Sequence, residues 1–249
     1  MTTTTARWTA TLLIAAAVLT NVAFTALGSI FNYPDVLGEP AEEILAAFRA
    51  SQAAVVAWFS VLALSAALFA PIAVGVGRLS TRNAMRAAVP VGVAAAVVQV
   101  IGLSRWPLLV PGFADRALSP DPGVAATARD SFLLAHRLLG VLMGETLGYL
   151  LTAAWTVLVL LALDRWFAPR WFTVLGVVSA VLILTGVLPA LQVPGIDLNF
   201  AGYVLWSVWL LVFAVLILRR ARRGAGSGPE RPAGAGRGGA HRTAQALSR

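Results

Sequence analysis

A chain of 249 residues with 59% hydrophobic and 12% charged residues and a mean hydropathy of +0.81 falls outside the range of soluble domains and inside that of multispanning membrane proteins. Cysteine is absent, and the only histidines are His136 and His241, which excludes disulfides, thiol nucleophiles and a core site of several imidazoles, so no metal or cofactor is expected. The net charge of +8 sits mostly at the C-terminal end, where eight arginines from Arg219 onward meet the single Glu230 without any aromatic residue among them, a pattern that points to the lipid bilayer as partner and away from nucleic acid.

In chain order, residues 8–30 form the first apolar run. At about 1.5 Å per residue it crosses a hydrocarbon core of about 30 Å and is too long for a signal-peptide core. Asn21 is its one strongly polar interior residue. The segment Phe31-Asn32-Tyr33-Pro34-Asp35, with Gly38 and Pro40 behind it, ends the helix and reads as a structured loop. In residues 41–51 Ile44, Leu45 and Phe48 fall on one side and Glu42, Glu43 and Arg49 elsewhere, which predicts a short amphipathic helix lying on the membrane.

The second span is expected at 53–76, kinked at Pro71, and the third at 87–110, with Gln99 inside and Arg105-Trp106-Pro107 at its end. A proline-rich connection follows over 110–129. The fourth span is read at 131–163, the fifth at 171–191 and the sixth at 199–218, with a tight turn over 192–198. The fold class is therefore an all-α integral membrane protein with six transmembrane helices. Its domain organisation is a membrane domain over 1–220 and a basic, disordered tail over 221–249.

Loop charges orient the bundle. Arg78, Arg82 and Arg86, the short turn with Arg165 and Arg170, and the helix-ending cluster Arg219, Arg220, Arg222 and Arg223 are basic, whereas the first loop carries Asp35, Glu39, Glu42 and Glu43. The positive-inside rule then places both termini in the cytoplasm, with the arginine cluster as a headgroup anchor. Every one of the 19 basic residues is arginine, and with the alanine and valine richness this points to a high-GC bacterial genome and so to a bacterial inner membrane.

The fourth span is the unusual one. It carries His136, Arg137 and Glu145 in apolar surroundings, and Gly140, Gly144 and Gly148 recur at every fourth position, lining one face where a neighbouring backbone can approach. Counting depth from the basic ends sets Glu145 and Arg105 at one level near the outer hydrocarbon boundary, as partners. His136, Arg137, the loop residues Asn32, Tyr33 and Asp35, and the start of the sixth span at Asn199 and Tyr203 lie higher, in the outer interface. Together with Trp106 they form a candidate outward-facing polar cluster. It reads either as an ion-pair network that holds the fold or as a site, with Arg105 and Trp106 most simply interface anchors.

Glu42-Glu43 and Phe132-Leu133-Leu134-Ala135-His136 have a superficial likeness to the motifs of membrane-embedded glutamate proteases. Arg49 is wrongly spaced for that motif and a further core histidine is lacking, so the assignment is rejected. What the chain resembles is a bacterial family of six-helix membrane proteins carried under a domain-of-unknown-function label. The resemblance rests on Phe31-Asn32-Tyr33-Pro34, on Arg105-Trp106 with Pro107 and Pro111, and on His136 followed by Gly140, Gly144-Glu145 and Gly148. It implies a multipass membrane protein and names no activity. From the residues, a binding or sensory module for a small molecule, lipid or membrane protein is the first reading. A solute or ion transporter and a lipid-modifying enzyme are the alternatives, and no enzymatic motif favours the last.

Overall fold

The computed structural model of the chain describes residues 2–165, 167–191 and 198–226. Every regular element among them is helical. Helix α1 (Thr3–Phe31) is capped by Thr2, whose hydroxyl accepts from the Thr5 N–H at 3.2 Å. It ends at Asn32, which takes the left-handed conformation (φ 50°) and donates its N–H to the Leu27 carbonyl, a geometry asparagine tolerates better than most side chains. A single 3-10 turn (Asp35–Gly38) leads to the short α2 (Ala41–Ala50), and α3 (Gln52–Gly77) and α4 (Asn83–Leu108) follow.

The proline-rich connection over 110–129 is mostly helical, contrary to expectation. Helix α5 (Val110–Arg116) and the start of α6 (Pro122–Ala135) occupy it. Proline ends helices from within but is tolerated in the first turn, where its missing N–H has no partner to lose. Pro111 and Pro122 both sit there, and Asp121 caps α6 by accepting from the Gly123 N–H at 2.8 Å. Helix α6 runs on through a π-helical stretch (His136–Leu147) into α7 (Gly148–Ala162), a continuous helix of 41 residues. Helices α8 (Arg170–Thr185) and α9 (Asn199–Gly226) complete the chain. Helix α9 continues through Arg219, Arg220, Arg222 and Arg223, so the first residues assigned to the tail are helical. The rest of the expected tail, from residue 227, and the expected turn over 192–197 lie outside the described residues.

Six of these helices, counting α4 with α5 and α6 with α7, are long and apolar enough to cross a membrane. They close into a ring in chain order: α1 packs on α3, α3 on α4, α4 on α7 and the π-helical stretch, α7 on α8, α8 on α9, and α9 returns to α1. Each contributes apolar side chains to the outside of the ring, among them Val18, Leu64, Val97, Leu161, Val174 and Val215. Such a girdle would drive association in water but is an ordinary contact surface in lipid. The chain is a multipass membrane protein.

Inside the ring are two aromatic cores. The one toward the basic end joins Phe69, Trp155, Trp209, Phe172 and Phe213 from α3, α7, α9 and α8. The other, toward the acidic end, gathers Phe31, Phe48, Phe59, Phe132 and Trp106. Trp106 stacks on Phe59 with centroids 4.7 Å apart and meets Phe31 edge-on at 5.2 Å. The apolar face of α2, expected on the membrane surface, is buried in this second core instead: Ile44, Leu45 and Phe48 are almost wholly covered by protein. Because α6 starts at Pro122, its first turns and α5 stand beside α2 and offer a protein surface in place of lipid, and an Arg129–Glu42 ion pair ties the two helices.

A close backbone approach lies between α4 and the π-helical stretch. A methyl group placed on Gly102 would fall 2.6 Å from Gly144 Cα and 2.9 Å from the Leu139 carbonyl oxygen. Both obstacles are backbone and cannot turn aside. Gly102→Ala should therefore destabilise the detergent-extracted protein by about 1–3 kcal/mol. Gly112→Ala, on α5 where nothing lies within 4 Å, should be neutral or stabilising by up to about 1 kcal/mol. Thermal unfolding of the two variants compares them directly.

Candidate functional site

Between the two cores the ring is not filled. A cavity of about 580 Å³ is lined by residues of α1, α3, α4, the π-helical stretch, α7 and α9, and by the turns at Tyr33 and Pro189. Along α1 the lining extends from Ala16 to the turn after Phe31, about 20 Å at ~1.5 Å per residue. Its deep part is lined by Ala17, Ala66, Phe69, Ile72 and Leu210 with Thr20, Ser65 and Ser207 among them, and its charged groups, Asp35, Arg105 and Glu145, lie toward the acidic end.

Six of the ten candidate cluster residues line this cavity: Tyr33, Asp35, Arg105, Glu145, Asn199 and Tyr203. The other four do not. Asn32 is exposed and serves through its backbone, ending α1 and accepting from the Val36 N–H at 2.9 Å. Trp106 belongs to the aromatic core and has no exposure. His136 stands behind Arg105, its Nδ1 3.5 Å from the guanidinium, and stacks on Phe132. Arg137 is exposed.

Arg105 is 4% exposed and is no interface anchor. Its side chain turns back into the helix contact, donating to the Gly102 carbonyl at 2.6 Å, with its guanidinium 5.4 Å from the Trp106 ring centre. The three glycines of the ladder make this possible, each facing one residue of α4. Gly140 lies against the Arg105 guanidinium, where a methyl group would be 2.7 Å from Cζ and Nη2; Gly144 lies against Gly102, and Gly148 against Gln99. Steps of four on one helix thus meet steps of three on its antiparallel neighbour. Arg105 is within Coulombic range of Glu145, Tyr33 and Tyr149, so the expected partner shares its neighbourhood.

The stretch carrying Gly140, Gly144 and Glu145 is π-helical over 12 residues. The Thr146 hydroxyl follows that frame, donating to the Val141 carbonyl five residues back at 2.8 Å. Such wide turns are rare and concentrate at functional sites. Tyr33, in the turn after α1, is partly buried and packs on Phe24 and Phe59. Burial, and then the Glu145 carboxylate, push its hydroxyl up to about 12 against the opposing pull of Arg105. It is thus a neutral hydrogen-bonding group at ordinary pH.

Several lining residues were read from sequence only as helix-interior polar groups or not at all. Asn21 donates to the Ala17 carbonyl at 2.7 Å, and Gln99 donates to Thr152 at 2.8 Å. Thr20 and Ser65 share a 2.6 Å hydrogen bond deep on the α1–α3 side. Tyr149 and Tyr203 meet at 5.7 Å, Tyr203 and Trp206 at 6.2 Å, and Trp206 and Phe69 at 5.5 Å, which makes an aromatic ladder descending one wall. Tyr149 was within reach of sequence reasoning because it follows Gly148 in the unusual run. Phe24 and Trp206 give no such signal. Among the described residues no three histidine, aspartate or glutamate side chains gather as a metal site would need.

Residues 8–214 match the family described as Domain of unknown function (DUF4386). The chain belongs to that family. Every residue lining the cavity falls inside the matched region, so the cavity is part of the DUF4386 domain and owes nothing to the basic tail. Comparisons with the curated proteins and with the solved structures give no match.

Two outcomes follow for this DUF4386 chain. Gly140→Ala should destabilise it by about 1–3 kcal/mol because the methyl group meets the guanidinium, and should be close to neutral in an Arg105→Ala background. A thermal double-mutant cycle reads the difference. Tyr33 is held neutral in the folded state well above its ordinary value of 10.0, so its contribution is complete below pH 10 and is lost as the pH climbs toward about 12. Tyr33→Phe should flatten the fall in melting temperature across that interval.

Proposed function

We propose that the chain is a ligand-binding membrane protein, a receptor or sensory module, whose cavity takes a small amphipathic molecule. The observation that carries this reading is the polarity of the cavity along its depth. Tyr33, Asp35, Arg105, Glu145, Asn199 and Tyr203 lie toward the acidic end, and the deep lining is mostly alanine, leucine, isoleucine and phenylalanine, with the mutually bonded Thr20 and Ser65 and with Ser207 but no charge. A volume of about 580 Å³ is in the range of small-molecule sites, which join an apolar lining to a few placed polar groups.

Loop charge supports an orientation for the site. The basic loops and the α9 arginines mark the cytoplasmic face, as the positive-inside rule requires, so the polar end of the cavity faces outward from a bacterial inner membrane and both termini are cytoplasmic. The floor favours reception over passage. Beneath the cavity the first aromatic core spans the ring, and at the basic end Arg82 pairs with Asp164 while Arg220 lies 4.5 Å from the Phe167 ring centre.

The test is thermal stability of the detergent-extracted parent, Glu145→Gln and Asn21→Ala proteins across a panel of lipids and metabolites. At least one compound should stabilise the parent and lose most of that effect in Glu145→Gln, with a smaller loss in Asn21→Ala. Binding at about 100 times the dissociation constant corresponds to about 2.7 kcal/mol of stabilisation. A panel without a single shift, or shifts equal in all three proteins, would overturn the reading.

A further inference from the structure

Among the described residues, four buried side-chain nitrogens lack a hydrogen-bond partner: Nε of Arg105 and the indole nitrogens of Trp106, Trp155 and Trp209. The three indoles are embedded in the aromatic cores. Arg105 alone of the four belongs to the cavity lining. A buried donor left unpaired is unfavourable, and more so on a charged group, so folded proteins meet it with an acceptor from the chain, from water or from a ligand.

The chain itself serves the other two nitrogens of the guanidinium. Nη1 donates to the Gly102 carbonyl at 2.6 Å, and Nη2 lies 3.5 Å from His136 Nδ1. The Trp106 ring, 5.4 Å from Cζ, offers Nε no lone pair in its plane. Nε lies on the Gly140 side, where a methyl group would be 3.1 Å from it, and Gly140 is part of the cavity lining as well. The cavity is therefore the side from which an acceptor can come.

Charge decides the kind of acceptor. The lining holds the guanidinium together with the carboxylates of Asp35 and Glu145. Glu145 has interactions within the protein and lies within Coulombic range of Arg105 and Tyr33. An anion would add its charge to two carboxylates, and a cation would meet the guanidinium. An uncharged carbonyl supplies Nε with an oxygen and leaves the existing charges as they are. Phe200 and Val204 of α9 are exposed and also line the cavity, an apolar rim for a guest arriving from the lipid.

We propose that the cavity binds an uncharged lipophilic carbonyl compound, its oxygen accepting from Arg105 Nε and its apolar body lying in the deep part. The oxygen reaches Nε past Gly140 by a small turn of the guanidinium. This rests on the ligand-binding reading given above and narrows it to one head-group chemistry.

Three probes of similar bulk separate acceptor from charge: benzophenone, diphenylmethane, which lacks the oxygen, and diphenylacetate, which is an anion. Each is titrated against the full chain in phosphatidylcholine nanodiscs by equilibrium dialysis, with empty nanodiscs as the reference for partitioning. Benzophenone should bind at least about tenfold more tightly than either of the others. Arg105→Met, which keeps the length of the side chain and removes its donors, should bring the ratio of benzophenone to diphenylmethane toward one. Benzophenone is also its own label, because on irradiation its carbonyl carbon inserts into neighbouring C–H bonds. In the parent protein the adducts should map to residues 102–105 and 140–145, which keeps the test intact if Arg105→Met does not fold. Diphenylmethane or diphenylacetate binding as well as benzophenone would overturn the carbonyl assignment and leave a ligand-binding cavity in place. So would a ratio unchanged in Arg105→Met, or adducts confined to the deep lining around Phe69 and Leu210. If none of the three binds above the empty-disc reference, water is the partner of Nε and the carbonyl assignment falls, while the wider reading is judged by its own lipid and metabolite panel.

Discussion

The contact on which the rest depends is the backbone approach of α4 to the π-helical stretch at Gly102 and Gly144. In lipid the association of helices rests on packing and hydrogen bonding, since the tails are as apolar as the side chains, and small residues are what allow it. Here the absence of side chains has a second consequence. With Gly140 one step away, the space that a side chain would fill is taken by the Arg105 guanidinium. A charge that would be costly in hydrocarbon is thereby surrounded by a carbonyl, an imidazole, an indole face and, at Coulombic range, a carboxylate.

That arrangement also explains why a cavity persists beside so tight a contact. The α4–α7 side is held by short steps: Gly102 on Gly144, Gln99 on Gly148 with its amide on Thr152, and Trp155 fitted into the space that Gly92 leaves. The α1–α9 side is held by larger side chains, such as the Phe24–Phe200 pair. A ring that is narrow on one side and propped on the other leaves a space between its aromatic cores. The buried arginine, the glycines and the wide-turned helix lie on one wall of that space, and the descending ladder of Tyr203 and Trp206 lies on another.

The six membrane helices were legible because hydropathy and length are local properties, and so were the glycine ladder and the exceptional character of the helix that bears it. What depth counting could not supply was direction around each helix. It set Trp106 beside the level of Glu145 and Asn32, His136 and Arg137 above it, yet at those depths one side chain faces the cavity, another a core and another the outside. Arg105 was the most misleading of these. An arginine beside a tryptophan at a helix end has the pattern of an anchor, and only the facing glycine on a helix more than thirty positions away reveals that both are enclosed. The π-helical frame was equally hidden, because composition does not announce a change of hydrogen-bond register. The α2 surface misled for a related reason: an amphipathic helix needs something apolar to cover, and sequence alone does not distinguish lipid from the extension of a neighbouring helix.

The two ends of the ring do different physical work. At the basic end, ion pairing and a cation–ring contact close the ring over a dense aromatic core, and the hydroxyls buried there, Thr156 and Ser179, donate to carbonyls of their own helices, whereas the indole N–H groups of Trp155 and Trp209 have no partner. A hydroxyl so satisfied offers little to a passing solute. At the acidic end the polar groups face a shared space, and the helices around it are held apart by rings. The charged groups of the cavity therefore stand at one end and the greater part of its apolar lining at the other. One wall of the cavity and the backbone contact to α4 share a single segment, since Glu145 sits in the π-helical stretch that carries Gly144.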